Sequence, residues 1–288
     1  MKITVDRKIN ILDFLLEKLG YRSRTKARKL IKYGTVAIDG RKIDRSDITL
    51  LPGQSIEINH PKPPGPALPF KILYEDDFLI AVEKPEGILS VSTDSEKTKT
   101  LYRNVYEYVK CCSKKQKRLF IVHRLDRDVS GVILFAKSQK VRELLQNNWG
   151  KNEKLYYALV EGCPNQKEGV IKSWLLEAGD YKVSSIPKEK AGAKFAVTHY
   201  RILKKTGNYT LLEIRLETGR KNQIRVHLAD INCPVAGDKK YGAKTDPIKR
   251  IGLHAFYLAF THPITGEAVV LTSPIPKIFT HFGSRPRS

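Results

Sequence analysis

The sequence predicts an α+β protein: a small helix–helix–hairpin module followed by a large domain built on a mixed or antiparallel sheet. Three observations predict it. From Phe70 onward, short apolar runs alternate with turns, without the regular strand–helix alternation of a parallel α/β fold. Residues 1–60 stand apart by composition, with 13 basic and 7 acidic side chains. His60-Pro61-Lys62-Pro63-Pro64-Gly65-Pro66 then favours extended backbone and reads as a linker. The boundaries expected are 1–60, 61–68 and 69–288.

In the front module, Ile11, Leu12, Leu15 and Leu19 fall at helical spacing and Gly20 suits the stop. Ser23 can cap a second helix that carries Ala27, Leu30 and Ile31 on its apolar side and ends at Gly34. Val36, Ile38, Asp39-Gly40 and Ile43 read as a hairpin with a tight primed turn. Leu51 to Ile58 adds a turn and a strand. Arg22, Arg24, Lys26, Arg28, Lys29 and Lys32 crowd eleven residues that contain no acid, and on a helix they repel one another unless something anionic neutralises them.

The 288 residues carry 52 basic and 30 acidic side chains, a formal +22, which favours a polyanionic partner. Hydrophobic residues make up 41%, enough for a real core. No apolar run approaches the roughly 20 residues of a membrane span, and the start of the chain lacks the apolar core of a signal peptide. Cys111, Cys112, Cys163 and Cys233 have no metal-ligand spacing and are expected as reduced thiols in a cytoplasmic protein.

In the large domain, strands are expected near 70–74, 78–82, 119–123, 132–136, 155–160, 170–176, 195–203, 209–217 and 268–272, with helices near 101–112, 138–148 and 222–230. His123-Arg124-Leu125-Asp126 lies between two of the apolar runs, with Ser130-Gly131 just after it. That sets a carboxylate beside a guanidinium on a loop held by buried strands, where side chains are both fixed and reachable. Most of the 30 acidic residues must be surface or ion-pair residues, so this string needs company.

Company is present. Glu83-Lys84-Pro85-Glu86-Gly87 follows the apolar strand Leu79–Val82. Tyr156-Tyr157-Ala158-Leu159-Val160-Glu161-Gly162 is a strand from which only one tyrosine can face a cleft. Thr218-Gly219-Arg220-Lys221-Asn222-Gln223-Ile224-Arg225-Val226-His227-Leu228 precedes Pro234, Gly237-Asp238 and Tyr241-Gly242. Ala196-x-Thr198-x-Tyr200, Leu253-His254-Ala255 and His262-Pro263 add to the series. In this order the stretches resemble the motifs of the RluA-type pseudouridine synthases, over roughly residues 70–275. The front module resembles the S-four RNA-binding domain over about residues 9–58.

The resemblance implies a long mixed sheet with a central cleft and an enzyme that isomerises uridine to pseudouridine in RNA. It implies that Asp126 is the catalytic carboxylate, Arg225 its salt partner, Tyr156 the cleft tyrosine, and Ile224 part of the base pocket. His123 and Arg124 are expected against RNA, with Arg124 filling the gap left by a flipped nucleotide. In the front module, Arg22, Arg24, Lys26, Arg28 and Lys29 are expected to grip structured RNA by shape and backbone. Large-subunit rRNA is the first expectation, tRNA the second, and monomer the default state. Three positions depart from the family: Asn222 stands where His is usual, Val129 for Thr and Cys233 for Gly.

Pseudouridine formation gains and loses no atom, so it needs no redox cofactor, nucleotide or metal, and the chain has no Walker loop or convincing dinucleotide fingerprint. His254 and His262 lack a third ligand and are expected to be structural. A carboxylate can attack the ring, attack the sugar, or assist loss of the sugar 2′ proton. Two rivals stand beside this reading. An RNA-binding or assembly factor without turnover uses the charge equally well but does not require Asp126, Tyr156 and Arg225 together. An enzyme acting on a free nucleoside or sugar explains the Asp but not the +22.

Overall fold

The computed structural model describes residues 2–19, 24, 27–28, 31, 36–58, 70–92, 96, 98–112, 118–177, 179 and 182–280. Contacts divide the chain into two compact units, residues 1–67 and 68–288. Arg22, Lys26, Lys29, the cap Ser23, the stop Gly34 and the linker at 61–68 lie outside the described residues.

The front unit runs β1 (Lys2–Thr4), β2 (Ile9–Asn10), α1 (Ile11–Leu19), β3 (Val36–Ile38), β4 (Arg41–Lys42), β5 (Thr49–Leu50) and β6 (Ser55–Ile58). The sheet order is β1-β6-β3-β4, and β2 pairs with β5. Asp39 and Gly40 form the two-residue turn between β3 and β4, both at positive φ (49° and 81°), as a primed turn requires. A nine-residue helix is marginal alone. Here α1 buries Ile11, Phe14 and Leu15 against Ala27, Ile31, Val36, Leu50 and Ile56.

The large unit runs β7 (Lys71–Glu75), β8 (Leu79–Lys84), α2 (Leu101–Cys112), β9 (Phe120–Ile121), β10 (Ser130–Ala136), α3 (Gln139–Asn147), β11 (Glu153–Glu161), β12 (Glu168–Glu177), β13 (Val183–Ile186), β14 (Lys194–Thr206), β15 (Tyr209–Leu216), α4 (Gln223–Asp230), β16 (Leu253–Thr261) and β17 (Ala268–Thr272). Eleven strands form one sheet in the order β13-β12-β14-β15-β11-β16-β10-β8-β7, with β17 beside β16 and β9 beside β10. Among the described residues every pair is antiparallel except β10 with β16. The fold is therefore α+β on a mixed sheet.

The strand β10 is buried along its whole length because helices cover both faces. Ile133 and Phe135 pack with Val105 and Val109 of α2, whereas Val132 and Leu134 pack with Val141 and Leu145 of α3. A strand covered on both sides has no polar face, hence the unbroken apolar run at 132–136. Ser138 caps α3, its Oγ accepting from the Val141 N–H at 3.3 Å.

The sheet differs from the expectation at three strands. Strand 119–123 shrinks to Phe120–Ile121, since the chain from Val122 onward leaves the ladder to form the Asp126 loop. Strands β13 and β16 were not expected. Leu253–Thr261 is apolar on both sides and so shows no alternation. Gly131 makes the contact of β10 with β16 possible: its φ is +120°, and a Cβ there would lie 2.1 Å from the Ala255 carbonyl oxygen.

Candidate active site

Asp126 rides on residues 122–129, between β9 and β10, and this loop is pinned from beneath. Lys84, at the end of β8, is fully buried. Its Nζ donates to the carbonyl oxygens of Pro85, Arg127 and Val129 at 2.9, 2.8 and 2.8 Å. Burial pushes its pKa from 10.5 down to about 8, against the pull of Asp128. Ser90 Oγ donates to the Leu125 carbonyl at 2.6 Å and accepts from the Leu125 N–H at 3.1 Å. Gly87 N–H and Arg127 Nε each donate to the other's carbonyl oxygen. The Lys-Pro-x-Gly turn thus staples the loop that presents Asp126.

Arg225 comes from α4. Its Nη1 donates to Asp126 Oδ2 at 3.0 Å, so the expected pair forms. The stronger partner is Asp238, which accepts from Nε at 2.6 Å and from Nη2 at 2.8 Å. Burial alone would lower the Arg225 pKa, but the hydrogen bonds and charge of Asp238, then of Asp126, hold it above its ordinary value. Tyr241 lies under the guanidinium, 4.9 Å from ring centroid to Cζ. Asn222, at φ 55°, precedes α4 in the left-handed region that Asn tolerates. Its Nδ2 donates to Tyr241 Oη at 2.8 Å, and its Oδ1 accepts from Arg225 Nη1 at 3.3 Å. Replacing the usual His by Asn keeps both a donor and an acceptor. Val129 and Cys233, the other departures, are buried in the apolar cluster with Leu125 and Leu228.

Tyr156 and Tyr157 point to opposite faces of β11. Tyr157 stacks on Phe256, with centroids 3.8 Å apart. Tyr156, next to a register shift against β16, lines the hollow that holds Asp126. Burial, and then the negative charge of Asp126, push its phenol above the ordinary pKa, so it stays protonated at neutral pH. The hollow has a volume of about 280 Å³. It brings together Asp126, Tyr156, Arg225, Ile224, His123 and Arg124.

Two expectations are refined. Arg124 is exposed and has no carboxylate partner among the described residues. His123 is tied to the scaffold: its Nε2 accepts from the Leu134 N–H at 3.0 Å, and its ring stacks on Trp149 at 4.7 Å. Burial, then the charge of Lys154, lower its pKa to about 3. A role of His123 toward RNA is thus confined to its other nitrogen. In the front unit, Arg24 and Arg28 are exposed, and Arg24 Nη2 meets Asp13 Oδ1 at 2.6 Å, so α1 supplies one of the anions that the basic run lacks.

Asp238, Trp149 and Lys154 were missed. Gly237-Asp238 was visible only as part of a downstream string. Lys154 was legible by strand alternation, two residues before Tyr156. His254 bonds Ser130 Oγ at 2.8 Å and Ser273 Oγ at 3.1 Å, and His262 meets Asp76 at 2.9 Å; both are buried and structural. Among the described residues no cluster of His, Cys, Asp and Glu could hold a metal, and no helix is long and apolar enough to cross a membrane.

The mixed sheet thus carries a hollow that holds one carboxylate, one guanidinium matched by carboxylates and one protonated tyrosine. The family described as RNA pseudouridylate synthase matches residues 78–230, more than half of the chain, and the chain belongs to that family. An S4 (S-four) domain matches residues 11–56. The uncharacterized RNA pseudouridine synthase YlyB of Bacillus subtilis is 32% identical over 266 residues, covering 88% of this chain and 86% of its own. An uncharacterized RNA pseudouridine synthase of Synechocystis is 31% identical, covering 92% and 85%. The solved structure of human RNA pseudouridylate synthase domain containing 4 shares the fold, with TM-score 0.61 over 73% of this chain and 90% of that one, at 24% identity.

Proposed function

We propose that this chain isomerises specific uridines to pseudouridine in structured RNA, with large-subunit rRNA as the first candidate and tRNA as the second. In this reading residues 1–60 are an RNA-binding domain, 61–68 a linker and 69–288 the catalytic domain, acting as a cytoplasmic monomer. The observation that carries it is that Asp126, Tyr156 and Arg225, far apart in sequence, line one hollow of about 280 Å³. The target atoms of a stacked uridine become reachable only when the nucleotide flips out, at a cost of a few kcal/mol. Stacking of a base on an aromatic ring returns about 1–3 kcal/mol, a role available to Tyr156, and phosphate contacts supply net affinity.

Arg225 orients Asp126 through Oδ2, and Asp126 Oδ1 has no partner among the described residues. In this reading the exposed Arg124 fills the vacated stack. Because the reaction only moves a bond from a ring nitrogen to carbon 5, these residues need no cofactor. The test is to map pseudouridine across all RNA of the source cell with and without this gene, then complement with Asp126→Asn. Sites that vanish on deletion, return with the wild type and stay absent with Asp126→Asn support the reading. Complementation by Asp126→Asn would favour an RNA-binding factor without turnover.

A further inference from the structure

Lys154 stands two residues before Tyr156 on β11, so both side chains leave the same face of the strand, and both line the hollow. Lys154 is only 6% exposed. An ammonium carries three N–H donors. Among the described residues this one has a single acceptor, the Trp149 carbonyl oxygen at 3.1 Å, and no carboxylate partner. A buried cation without a counter-ion is unfavourable unless another group completes it. The opening it lines is where a substrate group can do so.

The same wall points the same way. The ammonium lies 5.8 Å from the centroid of the Trp149 ring, on which His123 stacks. Because His123 Nε2 accepts from Leu134, the proton of the neutral ring sits on Nδ1, which has no acceptor among the described residues. The guanidinium of Arg225, by contrast, is matched by two carboxylates. Arg124 and Arg220, which also line the hollow without a carboxylate partner among the described residues, are exposed to solvent; the buried unmatched charge is that of Lys154.

We propose that Lys154 is a further catalytic residue: its ammonium donates to a carbonyl oxygen of the flipped uracil and holds the negative charge that the ring acquires as its bond to the sugar breaks. This deepens the pseudouridine synthase reading and rests on it. The C1′–N1 bond breaks with its electron pair on N1, and the charge spreads over O2 and O4. Carbon 5 then bonds to C1′ and loses its proton, while N1 takes one up, so composition is unchanged. Attack at the sugar, addition to the ring and elimination all load negative charge onto uracil. The role therefore does not depend on which of these Asp126 performs. A fixed, buried donor stabilises charge that develops only during reaction, which is what raises rate rather than affinity. Burial lowers the Lys154 pKa from its ordinary value, and a substrate carbonyl accepting from Nζ favours the ammonium form that the role requires.

The test uses full-length Lys154→Met, which keeps the stem and removes the charge. Replacing a buried charge by an apolar group is often neutral or stabilising, so this variant is expected to melt no lower than the wild type. The probe is total RNA from source cells lacking the gene, with pseudouridine mapped by position. The expected result is a single-turnover rate lowered roughly 100-fold or more, as for loss of one preorganised donor, with unchanged RNA affinity and unchanged salt dependence of binding. In Lys154→Ala, added ethylammonium is expected to restore rate in proportion to its concentration. A wild-type rate in Lys154→Met overturns the proposal. So does weakened binding with a flatter salt dependence at an intact rate, which would make Lys154 a phosphate contact. Loss of rate without amine rescue also overturns it, leaving a tie to Trp149. A wild-type protein inactive on that RNA, or an Asp126→Asn variant as active as the wild type, would remove the underlying reading instead.

Discussion

Asp238→Asn separates the holding of Arg225 from the chemistry proposed for Asp126. Arg225 makes three carboxylate contacts: two to Asp238 at 2.6 and 2.8 Å, and one to Asp126 at 3.0 Å. Asn keeps the shape of Asp238 but loses its charge and turns an amide N–H₂ toward a guanidinium N–H. The Asp238 side chain is 1% exposed, so water cannot replace the lost acceptor. Removing one member of a buried pair costs about 3–5 kcal/mol, and the surviving bond to Asp126 favours the low end. For a unit spanning residues 68–288, about 3 kcal/mol lowers Tm by roughly 6–12 °C. The Asp126 side chain is 28% exposed and supplies one contact of the three, so Asp126→Asn is expected to cost about 1 kcal/mol or less. The assay is thermal unfolding by circular dichroism beside single-turnover pseudouridine formation. Asp238→Asn should lose both stability and rate; Asp126→Asn should lose rate alone. An Asp238→Asn protein that melts and turns over like the wild type would refute the reasoning.

Gly131→Ala should lower stability by more than the roughly 1–3 kcal/mol of a strained backbone, because its Cβ would meet the Ala255 oxygen at 2.1 Å; normal soluble yield and melting would contradict this. Lys84 has a folded pKa of about 8, below its ordinary 10.5, so between those values the unfolded chain binds more protons. Wild-type stability should therefore gain a component rising with pH over that window, by up to about 1.4 kcal/mol per unit, and absent below it. Lys84→Met should lack this component, and urea unfolding of both proteins on either side of pH 8 measures the difference. Changing Arg22, Arg24, Lys26, Arg28 and Lys29 together to Gln should weaken RNA binding and reduce its salt slope by about 0.7–0.9 per lost phosphate contact. The single-turnover rate at saturating RNA should hold; equal affinity in a filter-binding titration would exclude the front module from RNA.

What was legible in the chain follows from what faces what. The helix α2 is readable at 101–112 because Leu101, Val105, Tyr108 and Val109 fall on one stripe against a sheet. The Asp39-Gly40 turn is readable because few other pairs adopt two positive φ angles. Strand β16 is hidden because both its faces are covered, which erases the period that marks a strand. Asp238 is hidden for another reason: it reaches Arg225 from an irregular loop with no period at all. The alternation that parts Tyr156 from Tyr157 also assigns Lys154 to the hollow's face. Its burial comes from Trp149, brought against it by a short 3₁₀ turn that leaves no mark in the pattern.

The parallel seam between β10 and β16 also governs when the molecule can exist. Ser130 and His254, bonded at 2.8 Å, stand 124 residues apart along the chain. At about 5–20 residues per second on the ribosome, the strand following Asp126 waits roughly 6–25 s for its neighbour. Throughout that interval an apolar strand has an open edge, the situation in which nascent chains rely on chaperones. Messages truncated before the codon for Leu253 should yield chains with no organised centre.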